Sequence, residues 1–243
     1  MSATFKAVFS GLAWLSLTTG CGVQAHVGPH KTSTTANAFG DVGTKNETIT
    51  TKGVKFYDAS GMVSALLVDA ISPGSDTASH NAAASDEVPM PGLSSSFEYT
   101  VGSNDVYDYS HADVRLAFHQ WEVGAQQRIG WGVGFFQSKY EFGGISESAW
   151  SLPVSLAYTI TPIRPLRVTA SASLDPLNPT LAAFSDGSYS LAAELGARVA
   201  YFPVRWVSVF GGAQFRQTPS NEARLRVRDS YVEFGVTVFY EGS

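Results

Sequence analysis

The sequence predicts an all-β fold, a single eight-stranded antiparallel barrel, on three observations. The first is the stretch Trp150 to Thr161, where Trp150, Leu152, Val154, Leu156, Tyr158 and Ile160 alternate with Ser151, Pro153, Ser155, Ala157, Thr159 and Thr161. Period-two alternation puts the two sets on opposite faces of a strand. The second is composition: only 15% of the 243 residues are charged, against 12% aromatic residues and 23 glycines. That is poor in charge for a soluble surface and suits short, glycine-bearing strands. The third is the lack of any apolar run of the roughly 18 to 20 residues that a membrane-spanning helix needs. The small, weakly polar face of each strand suits a crowded interior, so the large apolar face looks outward to lipid. A chain that spans a membrane without such helices must close into a barrel.

The N-terminus reads as an export signal. Lys6 is followed by the apolar core Ala7 to Leu17, and residues 1–21 are expected to form a signal peptide ending in a lipoprotein-type box. Two processing sites compete there. Leu17-Thr18-Thr19-Gly20-Cys21 resembles a bacterial lipoprotein box and makes Cys21 the candidate lipidation site. Val23-Gln24-Ala25 is a small-x-small site for ordinary cleavage, which leaves Cys21 a residue discarded with the signal. With a single cysteine the chain has no internal disulfide.

Residues 22–91 are expected to be a flexible tether, because His26 to Lys52 is rich in Thr, Gly, Asn and Ser without a sustained apolar period. Within it, 54–71 is ambiguous: Met62, Val63, Leu66, Leu67 and Ala70 fit one helix face or a strand equally. Residues 92–243 are expected to hold the barrel. Strand candidates fall near 92–101, 112–126, 129–143, 149–161, 165–176, 188–202, 204–217 and 224–240. The joins at Gln127-Arg128, Pro162-Ile163-Arg164 and Pro203 are tight, whereas 102–111, 144–148, 177–187 and 218–223 are longer and polar. Alternation slips around His119 to Trp121 and again near Phe136, where bulges would restore the faces. Trp150, Tyr158, Tyr189, Tyr201, Trp206 and Tyr240 lie near strand ends, as interfacial aromatic girdles do. The last strand, with Val232, Phe234, Val236, Val238 and Tyr240 on one face, looks like the C-terminal insertion signal of bacterial outer-membrane barrels.

By pattern and topology, 92–240 resembles the small eight-stranded outer-membrane β-barrel proteins of Gram-negative bacteria. The resemblance implies short turns toward the periplasm, longer loops outside the cell, and outer-membrane lipid as the surrounding partner. It also implies that protein partners would meet the extracellular loops.

On these faces Arg115, His119, Arg167, Glu194, Arg198 and Glu233 point into the barrel. Charges there must pair, since an unpaired buried charge costs several kcal/mol. They are expected to form a polar network that plugs the lumen, with a polar path for small solutes as the alternative. No catalytic residue is expected. Ser110-His111-Ala112-Asp113 holds the residue types of a triad, but successive strand side chains point to opposite faces. His26 and His30 flank Gly28-Pro29 without a third ligand, so no metal is expected, and no cofactor is. Arg224, Arg226 and Arg228 share one face above the last strand and read as a solvated flank or as contacts to lipid phosphate. A net charge of −5 gives no reason to expect a nucleic-acid partner. The functional expectation is a structural or interaction barrel. Its rivals are a soluble periplasmic lipoprotein with a ligand-binding barrel, which reverses the faces, and a lipid-modifying outer-membrane barrel enzyme.

Overall fold

The structure, a computed structural model, describes residues 21–38, 41–58, 95–142, 145–175, 192–219 and 225–240. The strands are β1 (Cys21–Ala38), β2 (Asp41–Asp58), β3 (Ser96–Ser103), β4 (Tyr107–Gly124), β5 (Gln127–Phe142) and β6 (Ile145–Ser151). They continue with β7 (Val154–Ile163), β8 (Leu166–Leu174), β9 (Ala193–Val204), β10 (Val207–Pro219) and β11 (Leu225–Tyr240). Every pairing is antiparallel, nearly all between sequence neighbours; β5 also pairs with β7, and β1 closes the ring against β11, with Cys21 beside Tyr240 and Ala36 beside Leu225. β6 and β7 pair with successive stretches of β5 and form one stave of the wall. The barrel therefore has ten staves, not the eight expected.

The two added staves come from the supposed tether. β1 and β2 pair along their whole length, from Cys21 beside Asp58 to Ala38 beside Asp41. The reason they were misread is visible in their faces. Inward Gln24, His26, Gly28, His30 and Thr32 are buried, while outward Val23, Ala25, Val27, Pro29 and Lys31 are exposed. In β1 the apolar outward run is short and light, Val23, Ala25, Val27 and Pro29, and gives way to Lys31, while in β2 both faces mix polar and apolar types, so neither strand carries a long hydrophobic period. Of the ambiguous 54–71 segment, 54–58 belongs to β2 and the remainder lies outside the described residues, as do the signal region, the 177–187 loop and Tyr189.

The facing of the remaining strands follows the alternation. Leu152, Val154 and Leu156 are 40%, 43% and 48% exposed, whereas Ala157 and Thr159 are buried. In β8, Arg167 and Ser173 are buried and Leu174 is exposed; in β9, Glu194 and Ala200 are buried and Leu195, Val199 and Tyr201 are exposed. The bulge expected near His119 is present as register shifts at Ala117/His119 and Glu122/Gly124. None occurs at Phe136. Phe136, Ser138 and Tyr140 stay inward, and Gln137 and Lys139 stay outward. What changes there is the outer surface, from Trp131 and Phe135 to Gln137 and Lys139.

One stave is broken. Pro153 has no N–H for the ladder, so pairing with β5 lapses at Leu152-Pro153. The gap is stitched from both sides: Gly134 N donates to Pro153 O at 2.8 Å, and Asp175 Oδ2 accepts from Ser151 Oγ at 2.5 Å and Leu152 N at 2.9 Å. Glycine is required where a ring crosses the wall. A Cβ on Gly235 would lie 2.1 Å from Ala25 O and 2.6 Å from Phe210 Cζ, so no side chain fits beneath that ring.

Two-residue turns at 125–126, 164–165 and 205–206 share one end of the barrel with Cys21, Asp58 and Tyr240. Exposed Tyr158, Tyr201 and Trp206 sit toward that end. Deletion of residues 22–58 tests the strand count. An eight-stranded barrel with a tether would fold without them. The ten-stave ring is expected to lose its heat-sensitive fast-migrating band on unboiled gels, and an undiminished band would contradict it.

Candidate functional site

The lumen is where most of the charged residues collect, because the outward positions of β7 to β11 are largely apolar and the inward ones are not. A ten-stave ring is wider than an eight-stave one, whose interior aliphatic and small side chains can fill. Long polar side chains fill this one, in three layers.

Nearest the short turns, Phe202, Phe210 and Phe239 pack together, with the Arg167 guanidinium 5.0 Å from the Phe202 ring centre. Above them lies an ionic layer. Arg198 pairs with Glu233, donating from Nε at 3.1 Å, and its Nη1 donates to Gln24 Oε1 and Tyr57 Oη, each at 2.9 Å. The same guanidinium lies 4.4 Å from the Phe210 ring centre, over the ring that covers Gly235. Lys55 Nζ donates to Glu98 Oε2 at 3.1 Å, and Thr100 links Glu98 to His26.

Glu194 is shared by two arginines. Arg115 Nη2 donates to its Oε1 at 2.7 Å and Arg216 Nε to its Oε2 at 3.0 Å. Arg115 also donates to Asp113 Oδ2 at 2.8 Å, Ser173 Oγ at 2.9 Å and Ser155 Oγ at 3.1 Å. Arg216 Nη1 donates to His111 Nδ1 at 3.0 Å, and Ser138 Oγ lies 2.9 Å from the same nitrogen. An Nδ1 that accepts from a guanidinium carries no proton, so in neutral His111 the proton sits on Nε2. β4 and β10 are five staves apart in either direction, so the Arg216–His111 bond spans the full diameter. Between these groups lies a cavity of about 110 Å³, lined among others by Lys55, Glu98, Asp113, Arg115, Arg198 and Glu233.

The third layer roofs that cavity. Asp229, fully buried, accepts from Thr32 Oγ1 at 2.8 Å, lies 3.0 Å from His30 Nε2, and takes the Tyr140 hydroxyl at 2.9 Å. Tyr107 Oη reaches Thr32 at 3.1 Å, and Tyr109 packs against His30 with ring centres 4.3 Å apart and the ring planes tilted by 60°. β5 and β11 are also diametric, so Tyr140–Asp229 is a second bond across the bore.

Of the residues read from sequence, Arg115 and Glu194 meet each other, Arg198 and Glu233 meet each other, and Arg167 lies over the Phe202 ring. His119 follows the β4 bulge, and its side chain lies outside the described ones. Arg228 is outward and exposed; Arg224 and the Arg226 side chain lie outside the described set. His26 and His30 are lumen residues, not linker. His111 and Asp113 face inward while Ser110 lies on the other face, so the three do not assemble as a triad. Sequence reasoning missed Arg216 and Asp229, although both share the inward parity of recognised strands. It missed His30, Lys55 and Tyr57 because β1 and β2 were not recognised.

No family model matches the sequence, and no curated protein does. Among solved structures, the Escherichia coli outer membrane protease OmpT aligns at a TM-score of 0.44 and 7% identity, covering 91% of this chain and 97% of that one. Neisserial surface protein A aligns at 0.39 and 10% identity over 90% and 97%, and the Yersinia pestis attachment invasion locus protein Ail at 0.25 and 7% over 92% and 100%.

Removing one partner of a buried, hydrogen-bonded ion pair costs about 3 to 5 kcal/mol. Glu194→Gln, which strands two arginines, is expected to lower unfolding stability in urea by that order, and Ser171→Ala by less than about 1 kcal/mol. Equal effects would show that the ionic layer does not hold the barrel together.

Proposed function

We propose that this chain is an outer-membrane β-barrel with a sealed lumen, serving as a non-enzymatic anchor that presents its extended rim to partners outside the cell. The observation that carries the reading is the outer wall. Leu152, Val154, Leu156, Val199, Val209, Phe234, Val236 and Val238 are all exposed, which water would penalise and acyl chains would not. The band has an upper border: Lys31, Lys139, Glu141 and Arg228 occupy outward positions beyond it. The strands β1, β2, β5 and β11 continue past that border and form a rim above the membrane. The turn-bearing end then faces the periplasm.

A soluble ligand-holding barrel would need Leu152, Val154 and Leu156 to line a cavity, and their exposure speaks against it. The two cross-bore contacts, Arg216–His111 and Tyr140–Asp229, favour a sealed plug over a solute path. Cys21 opens β1 at the periplasmic end, beside Tyr240, where an attached acyl chain would enter the inner leaflet of the outer membrane. Lipidation there is read directly from the mass of the mature N-terminus.

The seal is tested in planar bilayers. The folded protein is expected to give no steady ion conductance, while Tyr140→Ala combined with Arg216→Ala removes both crossings and is expected to raise conductance. A stable conducting state in the unsubstituted barrel would contradict the sealed-lumen reading.

A further inference from the structure

On the outer wall, β9, β10, β11 and β1 run side by side, and two adjacent rows of outward residues differ in size. By register, the upper row is Leu195, Phe215, Ser230 and Lys31. The row beneath contains Ala197, Ala213 and Val232. The two alanines leave a groove on an otherwise bulky surface, walled by Leu195, Phe215 and Val232, with Pro29 and Lys31 at its β1 end. A second cation stands close by. Arg228 is the next outward residue up β11 from Ser230, about 7 Å along the strand, and its Nε donates to Gln217 Oε1 at 3.3 Å.

The charge on this side is one-signed. No outward position of β9, β10, β11 or β1 among the described residues is an acid, because Glu194, Asp229 and Glu233 all turn into the lumen. Elsewhere on the rim the balance differs: Lys139 is paired with Glu141. A lysine is a point charge for phosphate, and an arginine adds a planar fork that matches its oxygens. An apolar groove that ends in two such cations, at the border of the apolar band, matches a ligand with an acyl chain and an anionic head.

We propose that this groove binds a phosphorylated glycolipid of the outer leaflet, with one acyl chain over Ala197 and Ala213 and a headgroup phosphate at Lys31 and Arg228. The site rests on the membrane reading above and adds to it a specific lipid class.

The test uses the full chain folded in detergent micelles, with folding checked by the mobility shift on heating. Native mass spectrometry then follows titration with bisphosphorylated lipid A and with its dephosphorylated form. Each cation near a membrane surface strengthens anionic-lipid binding roughly fivefold, so the protein is expected to prefer the phosphorylated form by about 25-fold. The K31Q/R228Q double variant should fold and lose that preference, while K139Q should keep it. Ala197→Phe fills the groove, keeps the cations, and should weaken both lipids. Equal binding of the two lipids by the folded protein, or an undiminished preference in K31Q/R228Q, overturns the site and leaves the membrane reading standing. A chain that never acquires the heat-sensitive fold in micelles overturns both.

Discussion

Closure of the ring between β1 and β11 is the constraint on which the rest of the molecule depends. An open sheet leaves a row of unpaired N–H and C=O groups on each edge, and in hydrocarbon those groups have no water to satisfy them. Pairing Cys21 through Ala36 with Tyr240 through Leu225 removes both edges at once. It also fixes the circumference at ten staves, and the circumference sets the bore. Leucines and valines facing inward would not reach across such a bore. Arginine and tyrosine do, and that accounts for Arg115, Arg198, Arg216, Tyr57, Tyr107 and Tyr140 in the interior. Their polar ends must then be satisfied where they meet, which Glu194, Glu233 and Asp229 accomplish.

The wall was legible in the sequence wherever one face is uniformly apolar. Trp150 to Ile160, Leu166 to Leu174 and Val232 to Val238 declare both strand and facing, and the structure follows them. β1 and β2 were not legible for a physical reason. Much of each strand lies in the rim, where the outward face is Lys31, Thr48 and Thr50, so the outward apolar run is short, Val23 to Pro29 in β1 and Val54 and Phe56 in β2. A lumen face made of Gln24, His26, His30 and Thr32 looks like linker composition to any test based on apolarity. What marks these residues as structural is their partners, Tyr57, Thr100, Tyr107 and Asp229, which lie on distant parts of the chain.

The same distinction explains the candidate site. Charged residues on recognised strands could be assigned to the lumen by parity alone, but parity does not say which acid meets which base. Arg115 reaches Glu194 four staves away around the ring, and Arg216 crosses to His111. Those encounters follow from strand count and shear, and the count was set by the two strands whose apolar runs are short. The apparent slip at Phe136 has a related origin. A change of the outer face from apolar to polar side chains, as from Phe135 to Gln137 and Lys139, imitates a change of register when only the sequence is in view.

The account stands on the outward residues touching acyl chains. A nitroxide scan with single cysteines from Val154 to Ile160, in a Cys21→Ser background folded into vesicles, measures this directly through collision with dissolved oxygen. Oxygen concentrates in hydrocarbon, so accessibility should alternate, high at 154, 156, 158 and 160 and low at 155, 157 and 159. A flat profile, or one with its maxima at the odd positions, would contradict the lipid-facing wall.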